Sequence, residues 1–141
     1  MIPLEKIIVL NQVPLFSSLK IEDIHKISTI TTKETYEDGH ILFHEGDIGD
    51  SLFIVVSGKV KIIKQGVDQP IAILNENDFL GELSLFDAET RTATACCHGE
   101  CTFLVIEHDD IEQLAHEFPE IAFGFIKVLI SRMRNMLAKS S

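Results

Sequence analysis

The chain has 141 residues, is 45% hydrophobic and carries a formal net charge of −10. That apolar content suffices to build a core without staples, and a surface so acidic repels phosphate backbones and anionic lipid over most of its area, so neither nucleic acid nor a membrane is an expected direct partner. No stretch reaches the about 18 consecutive apolar residues of a membrane span, and three cysteines, an odd number, do not form a secreted disulfide framework.

The apolar run at residues 7–10 follows Glu5 and Lys6 and precedes no small-residue cleavage site, so it is not a signal peptide. The cytoplasm is the expected compartment. A short helix is expected from Leu4 to Asn11, ending before Pro14. In "PLFSSLKIEDIHKISTI", Ser17 and Ser18 are turn or cap candidates. Leu19, Ile24, Ile27 and Ile30 then follow at roughly helical spacing. The N-terminal helices are therefore placed at about residues 3–31.

From about residue 33 to 107 the pattern changes to β. Short apolar runs, "HILF", "SLFIVV", "KVKII", "IAIL", "TATACC" and "TFLVIE", alternate with turn signals at "EDG", "EGDIGD", "SG", "QG" and "NEND". Many short strands at even spacing predict a sandwich or a small jelly-roll barrel. Lys59, Lys61 and Lys64 fall among Val60, Ile62 and Ile63, as on a strand with one wet face.

Two further helices are expected at about residues 109–138, with Asp109 and Asp110 opening the first and Pro119 the second. Ala122, Ile126, Leu129, Met133 and Met136 are spaced 4, 3, 4, 3, a short heptad seam. It suits a helix packed on the barrel, or one that pairs with a partner. No acidic residue follows Glu120, while Lys127, Arg132, Arg134 and Lys139 do, as favoured near a helix C-terminus. No linker or repeat divides the sequence. The expectation is one mainly β domain over residues 1–141: a small antiparallel jelly-roll barrel flanked by N-terminal helices and two C-terminal helices.

The segment "GELSLFDAETRTATA" at residues 81–95 carries the most chemistry. The planar fork of Arg91 suits a bidentate anion, phosphate above all. Backbone N–H groups around Gly81 can form an anion nest. A helical turn over Leu83, Ser84 and Leu85 would point its N-terminus the same way. The Glu82 carboxylate accepts hydrogen bonds only, so it suits a sugar hydroxyl rather than a phosphate. The alternative is a Glu82–Arg91 salt bridge across a turn.

This segment resembles the phosphate-binding cassette of the cyclic nucleotide-binding domain family, a Gly-Glu-Leu-small-Leu run followed by Arg, a small or hydroxyl residue and Ala. Here these are Gly81, Glu82, Leu83, Ser84, Leu85, Arg91, Thr92 and Ala93. A second resemblance lies in "GHILFHEGDIGDSLFIVVSGKVKI", where Gly39, Phe43, Gly46, Asp47, Gly49, Asp50, Phe53, Ile54, Gly58 and Val60 match the family's glycines, acids and strand apolars. The order helix, barrel, helix also matches. The resemblance implies that Glu82 binds a ribose 2′-OH and Arg91 the cyclic phosphate. Backbone near Ser84 and the Thr92 region would complete the cradle. Thr92 is similar to the residue of cGMP-responsive members, though some cAMP-responsive members share it. Val55 and Leu74 are candidates for the base pocket. Thr90 stands where many members have proline, and Leu80 where an aromatic often precedes the glycine. The ligand implied is cAMP or cGMP, with no cofactor and no metal.

Other clusters carry less. His40 and His44 on a strand would lie ~13 Å apart, too far to share one ion at about 2.1 Å bonds. Cys96 and Cys97 point to opposite faces of a strand. With Cys101 they suit small hydrophobes in two strands joined by a His-Gly-Glu turn. No catalytic constellation stands out, so the chain is not expected to be an enzyme. The expected function is a cyclic-nucleotide-sensing regulatory module that moves its C-terminal helices, with a homodimer or an effector domain engaged through the last helix. The alternative is an interaction or dimerisation module of the same fold that binds no nucleotide.

Overall fold

The computed structural model describes residues 1–81 and 89–140. These fall into two units, one of residues 30–112 and one of residues 1–29 with 113–141.

The β unit contains β1 (Thr31–Tyr36), β2 (Ile41–Phe43), β3 (Ile48–Gly49), β4 (Ser51–Ile63), β5 (Ala72–Leu74), β6 (Phe79–Leu80), β7 (Glu89–Thr90) and β8 (Thr94–Glu107). One sheet runs β1-β8-β4-β5, with β2 also on β8 and β6 also on β4. A second pairs β3 with β7. All pairings are antiparallel, in an antiparallel barrel of jelly-roll type with flanking helices.

Two turns expected from the sequence are bends inside strands. "SLFIVV" and "KVKII" are one strand, β4, and "TATACC" and "TFLVIE" are one strand, β8. The pair stays in contact from Ser51 opposite Glu107 to Ile63 opposite Thr94, with register shifts between Val55 and Lys59. A bulge adds twist and bends a strand without reversing it. The two ends of each strand thereby take different partners. β8 pairs with β1 over Cys101–Ile106 and with β2 at Ala95 and Cys96. Likewise β4 pairs with β6 at Phe53 and Ile54 and with β5 at Val60–Ile62. Gly58 makes the bend possible. Its φ is +95°, and a Cβ there would lie 2.5 Å from the Glu100 carbonyl oxygen and 2.8 Å from Cys101 Sγ.

The barrel interior is lined by Val55, Val60, Ala95, Cys97, Cys101 and Phe103 among others. On the opposite face of the same strands Leu52, Ile54, Leu104 and Ile106 are also fully buried. This two-sided burial explains why "SLFIVV" and "TFLVIE" are continuous apolar runs rather than alternating ones. β1, "TTKETY", was not among the expected strands. It has no apolar run, and its place comes from β-branched residues pairing with β8.

The helical unit contains α1 (Pro3–Gln12), a 3-10 turn at Pro14–Phe16, α2 (Ile21–Ser28), the end of α3 (His108–Glu117), and α4 (Pro119–Ser140). Ser17 and Ser18 lie in a turn, and the cap of α2 is Lys20, which makes no side-chain cap bond. Glu22 and Asp23 in the first turn complement the helix dipole instead. The core of this unit includes Leu10, Leu15, Phe16, Ile27, Ile121 and Phe125, with the Phe16 and Phe125 rings 5.5 Å apart. α4 buries the stripe Ile121, Phe125 and Val128. The heptad seam is a different face: Ile126, Leu129, Met133 and Met136 are 46%, 43%, 63% and 68% exposed. No helix among the described residues is long and apolar enough to cross a membrane.

Gly58→Ala adds a Cβ at positive φ against backbone. It is expected to destabilise the fold by about 1–3 kcal/mol, read from the denaturant midpoint. An unchanged midpoint would show that the bend tolerates a side chain.

Candidate functional site

Arg91 is held first through its backbone. It follows β7, whose Thr90 and Glu89 pair with Ile48 and Gly49 of β3. The Arg91 N–H donates to the Asp47 carbonyl (2.6 Å), and the Gly46 N–H donates to the Arg91 carbonyl (2.8 Å). The partner loop is itself locked, because the His44 N–H donates to Asp47 Oδ2 (2.8 Å) while the Asp47 N–H donates to the His44 carbonyl (3.0 Å). This is the Asp-closed turn that "HEGD" favours.

The guanidinium is then held from three sides. Arg91 is buried, with 7% of its surface exposed. Its Nη2 donates to the Ser51 carbonyl at 2.8 Å. Its Cζ lies 4.1 Å from the centre of the Phe43 ring, within cation–π range. The third side is Gly81, at φ +89°. A Cβ on Gly81 would sit 2.5 Å from Arg91 Nη1 and 2.5 Å from the Ser51 oxygen. Glycine is required here twice, for its backbone conformation and for the space the arginine fills.

The other expected site residues divide into two groups. Thr92 is exposed, and its carbonyl accepts from Lys64 Nζ at 2.8 Å. Ala93 is buried. Thr94 Oγ1 accepts the Glu45 N–H (2.9 Å), and Glu45 Oε1 accepts the Gln65 N–H (3.0 Å), so the strand leaving Arg91 is tied to two neighbouring loops. Glu82, Leu83 and Ser84, with the helical turn expected to reach Leu85, lie outside the described residues. Of the base-pocket candidates, Val55 is fully buried in the barrel core and Leu74 packs against that core. Two contributors to the arginine site were not singled out as its partners from the sequence, Phe43 and Ser51. Phe43 appeared there only as a strand apolar. Ser51 acts through its carbonyl, which no side-chain pattern reveals.

The other clusters have structural partners. His40 stacks on Tyr36 with ring centres 4.1 Å apart, and His44 Nδ1 lies 3.8 Å from Asp47 Oδ2. The Tyr36 hydroxyl donates to Glu34, which pushes its pKa up to about 12. Cys97 and Cys101 are buried and Cys96 half-buried, all three as free thiols. Burial first, then Cys101, pushes the Cys97 thiol up to about 12. A thiol so far from its thiolate is a poor nucleophile.

A cavity of about 410 Å³ lies at the start of α3, lined by Asp50, Glu107, His108, Asp109 and Asp110. Its four carboxylates disfavour an anionic ligand, whereas the guanidinium of Arg91 attracts one.

The family model "Cyclic nucleotide-binding domain" matches residues 33–118, well over half of the chain. A CRP-like cAMP-activated global transcriptional regulator of Mycobacterium tuberculosis is 36% identical over 99 residues, 68% of this chain and 44% of the regulator. A cGMP-dependent protein kinase of Caenorhabditis elegans is 36% identical over 88 residues, 60% of this chain and 11% of the kinase. Among solved structures, the N-terminal domain of a transcriptional regulator from Streptomyces coelicolor A3(2) superposes with a TM-score of 0.85 at 33% identity. That match covers 94% of this chain and 95% of that one. The chain thus spans less than half the length of these two curated relatives.

The acidic cavity generates a pH prediction. Partial desolvation, then Asp50, Glu34, Asp110 and Asp109, hold the Glu107 carboxyl above the usual carboxylate range. A carboxyl that holds its proton more tightly when folded stabilises the fold below its unfolded pKa, about 4.3 for Glu. That contribution is lost as pH rises through the folded value. Glu107→Gln should therefore match wild type near pH 4 and be the more stable protein at pH 7. The gain should be small and shrink with salt, because Glu107 is exposed. A variant less stable at pH 7 would contradict the crowding of these charges.

Proposed function

Because the chain belongs to the cyclic nucleotide-binding domain family, we propose that it is a non-enzymatic regulatory module that binds cAMP or cGMP, with Arg91 pairing with the cyclic phosphate. The observation that carries this reading is a buried guanidinium fixed at its backbone, at one edge and on one face, in a chain whose net charge is −10. Arginine keeps its charge throughout the accessible pH range. A phosphate entering beside the guanidinium would bind it by charge-assisted hydrogen bonds.

In this reading Glu82 takes the ribose hydroxyl, the backbone near Ser84 and Thr92 completes the cradle, and Thr92 favours a guanine base where the ligand is cGMP. The relatives' names include both a cAMP-activated regulator and a cGMP-dependent kinase, which supports the ligand class and leaves the choice of base to titration. The response is carried by α3 and α4. A ligand can move them only by binding one of their arrangements more tightly than another. The effector is a transcriptional or kinase-type output elsewhere in the protein or a separate partner, in the cytoplasm.

A second reading is favoured by one specific observation, the exposed seam of Ile126, Leu129, Met133 and Met136 on α4. Here the chain is a docking or dimerisation module whose Arg91 is purely structural. One experiment separates the two. With cyclic nucleotide at about 100 times its Kd, wild type gains ~2.7 kcal/mol of stability, seen as a higher thermal midpoint, while Arg91→Ala folds but gains almost nothing. A wild-type midpoint that ignores both cAMP and cGMP would favour the docking module.

A further inference from the structure

We propose that Phe43 is a positioning residue for phosphate recognition, and that an aromatic ring at this place, rather than any apolar side chain, sets the affinity for the anion. The inference rests on the nucleotide reading of Arg91 and deepens it.

An arginine side chain has several rotatable bonds, and backbone bonds at Asp47 and Gly46 fix only its root. The Ser51 carbonyl engages Nη2, and Gly81 abuts Nη1. Both contacts limit the guanidinium at its edge. The Phe43 ring adds a contact of a different kind: its centre lies 4.1 Å from Cζ, and the negative face of the ring attracts the cation.

The ring is itself held by the barrel. Phe43 pairs with Ala95 across β2 and β8. Its ring meets that of Phe53 at 6.1 Å, Phe53 meets Phe103 edge-on at 5.8 Å, and Phe103 meets Tyr36 at 6.2 Å. The guanidinium is thus the last member of a chain of rings that begins in the core. A leucine at position 43 would fill similar space and keep the strand, but it would offer no quadrupole to the cation. The side-chain entropy lost on fixing the arginine would then fall on the binding step, whereas in the present arrangement it is lost on folding.

The test compares wild type, Phe43→Leu and Phe43→Tyr by calorimetric titration with cAMP, cGMP and adenosine, the last as a probe without phosphate. Phe43→Leu is expected to weaken the cyclic nucleotide that wild type binds by about tenfold, to leave adenosine unchanged, and to be rescued by Phe43→Tyr, which keeps the ring. Should the leucine variant fail to fold, Phe43→Met carries the same comparison. Three results would overturn the proposal. They are unchanged cyclic-nucleotide affinity in the aliphatic variant, an equal loss for adenosine, and a tyrosine variant no better than leucine. If wild type itself bound neither cAMP nor cGMP, the nucleotide reading would fall, and this inference with it. Binding by wild type with an indifferent Phe43 would remove this inference alone.

Discussion

The arrangement of the barrel around Arg91 depends on burying one positive charge. A guanidinium removed from water loses favourable hydration and must recover it from its surroundings. The structure supplies a carbonyl from Ser51, the face of Phe43 and a glycine whose missing side chain makes the room. These come from three separate stretches of chain, the ends of β2 and β6 and the start of β4. They can meet at Arg91 only if the barrel closes correctly, so the site is a consequence of topology rather than of one motif.

Closure in turn depends on the two long strands. β4 and β8 bend at matched irregularities, and Gly58 is the point where no side chain fits. The bend lets each strand serve two partners: β2 pairs with β8 near its Thr94 end, and β6 pairs with β4 near its Ser51 end. At the Ser51 end of the β4–β8 pairing, Ser51 faces Glu107 in register, and the His108 N–H donates to the Asp50 carbonyl at 2.7 Å. The residue whose carbonyl meets Arg91 therefore adjoins the one that receives the first residue of α3. In the proposed function, this short covalent and hydrogen-bonded route joins the phosphate group to the start of the responding helices. It is a physical connection, and coupling along it remains part of the proposal.

Much of this was legible in the sequence because the signals were local. The period change near residue 31, the proline at 119 and the acids at 109 and 110 mark element boundaries that the structure places within a few residues. Arg91 stood out because a lone arginine among small residues has a distinctive chemistry. What was not legible was non-local or lay in the backbone. "SG" and "HGE" have the composition of turns, and only pairing across β4 and β8 makes them bends. β1 has no hydrophobic pattern and is recruited by its neighbour. The stripe that α4 buries follows from Phe16 and its surroundings, which the heptad spacing of Ile126, Leu129, Met133 and Met136 does not report. Phe43 has the composition of any strand apolar until the guanidinium is seen above it, and the Ser51 carbonyl has no signature at all.

In the proposed function the Arg91 guanidinium is the anion-binding group of a nucleotide site. Heteronuclear NMR of the arginine side-chain N–H resonances during titration observes that group itself. The sample is first unfolded and refolded to strip any co-purified ligand. The Arg91 Nε–H signal, identified by its loss in Arg91→Lys, is expected to shift to a saturable end point with cAMP or cGMP and to stay in place with adenosine. An Arg91 signal that ignores both cyclic nucleotides in a well-folded sample would contradict the proposed function.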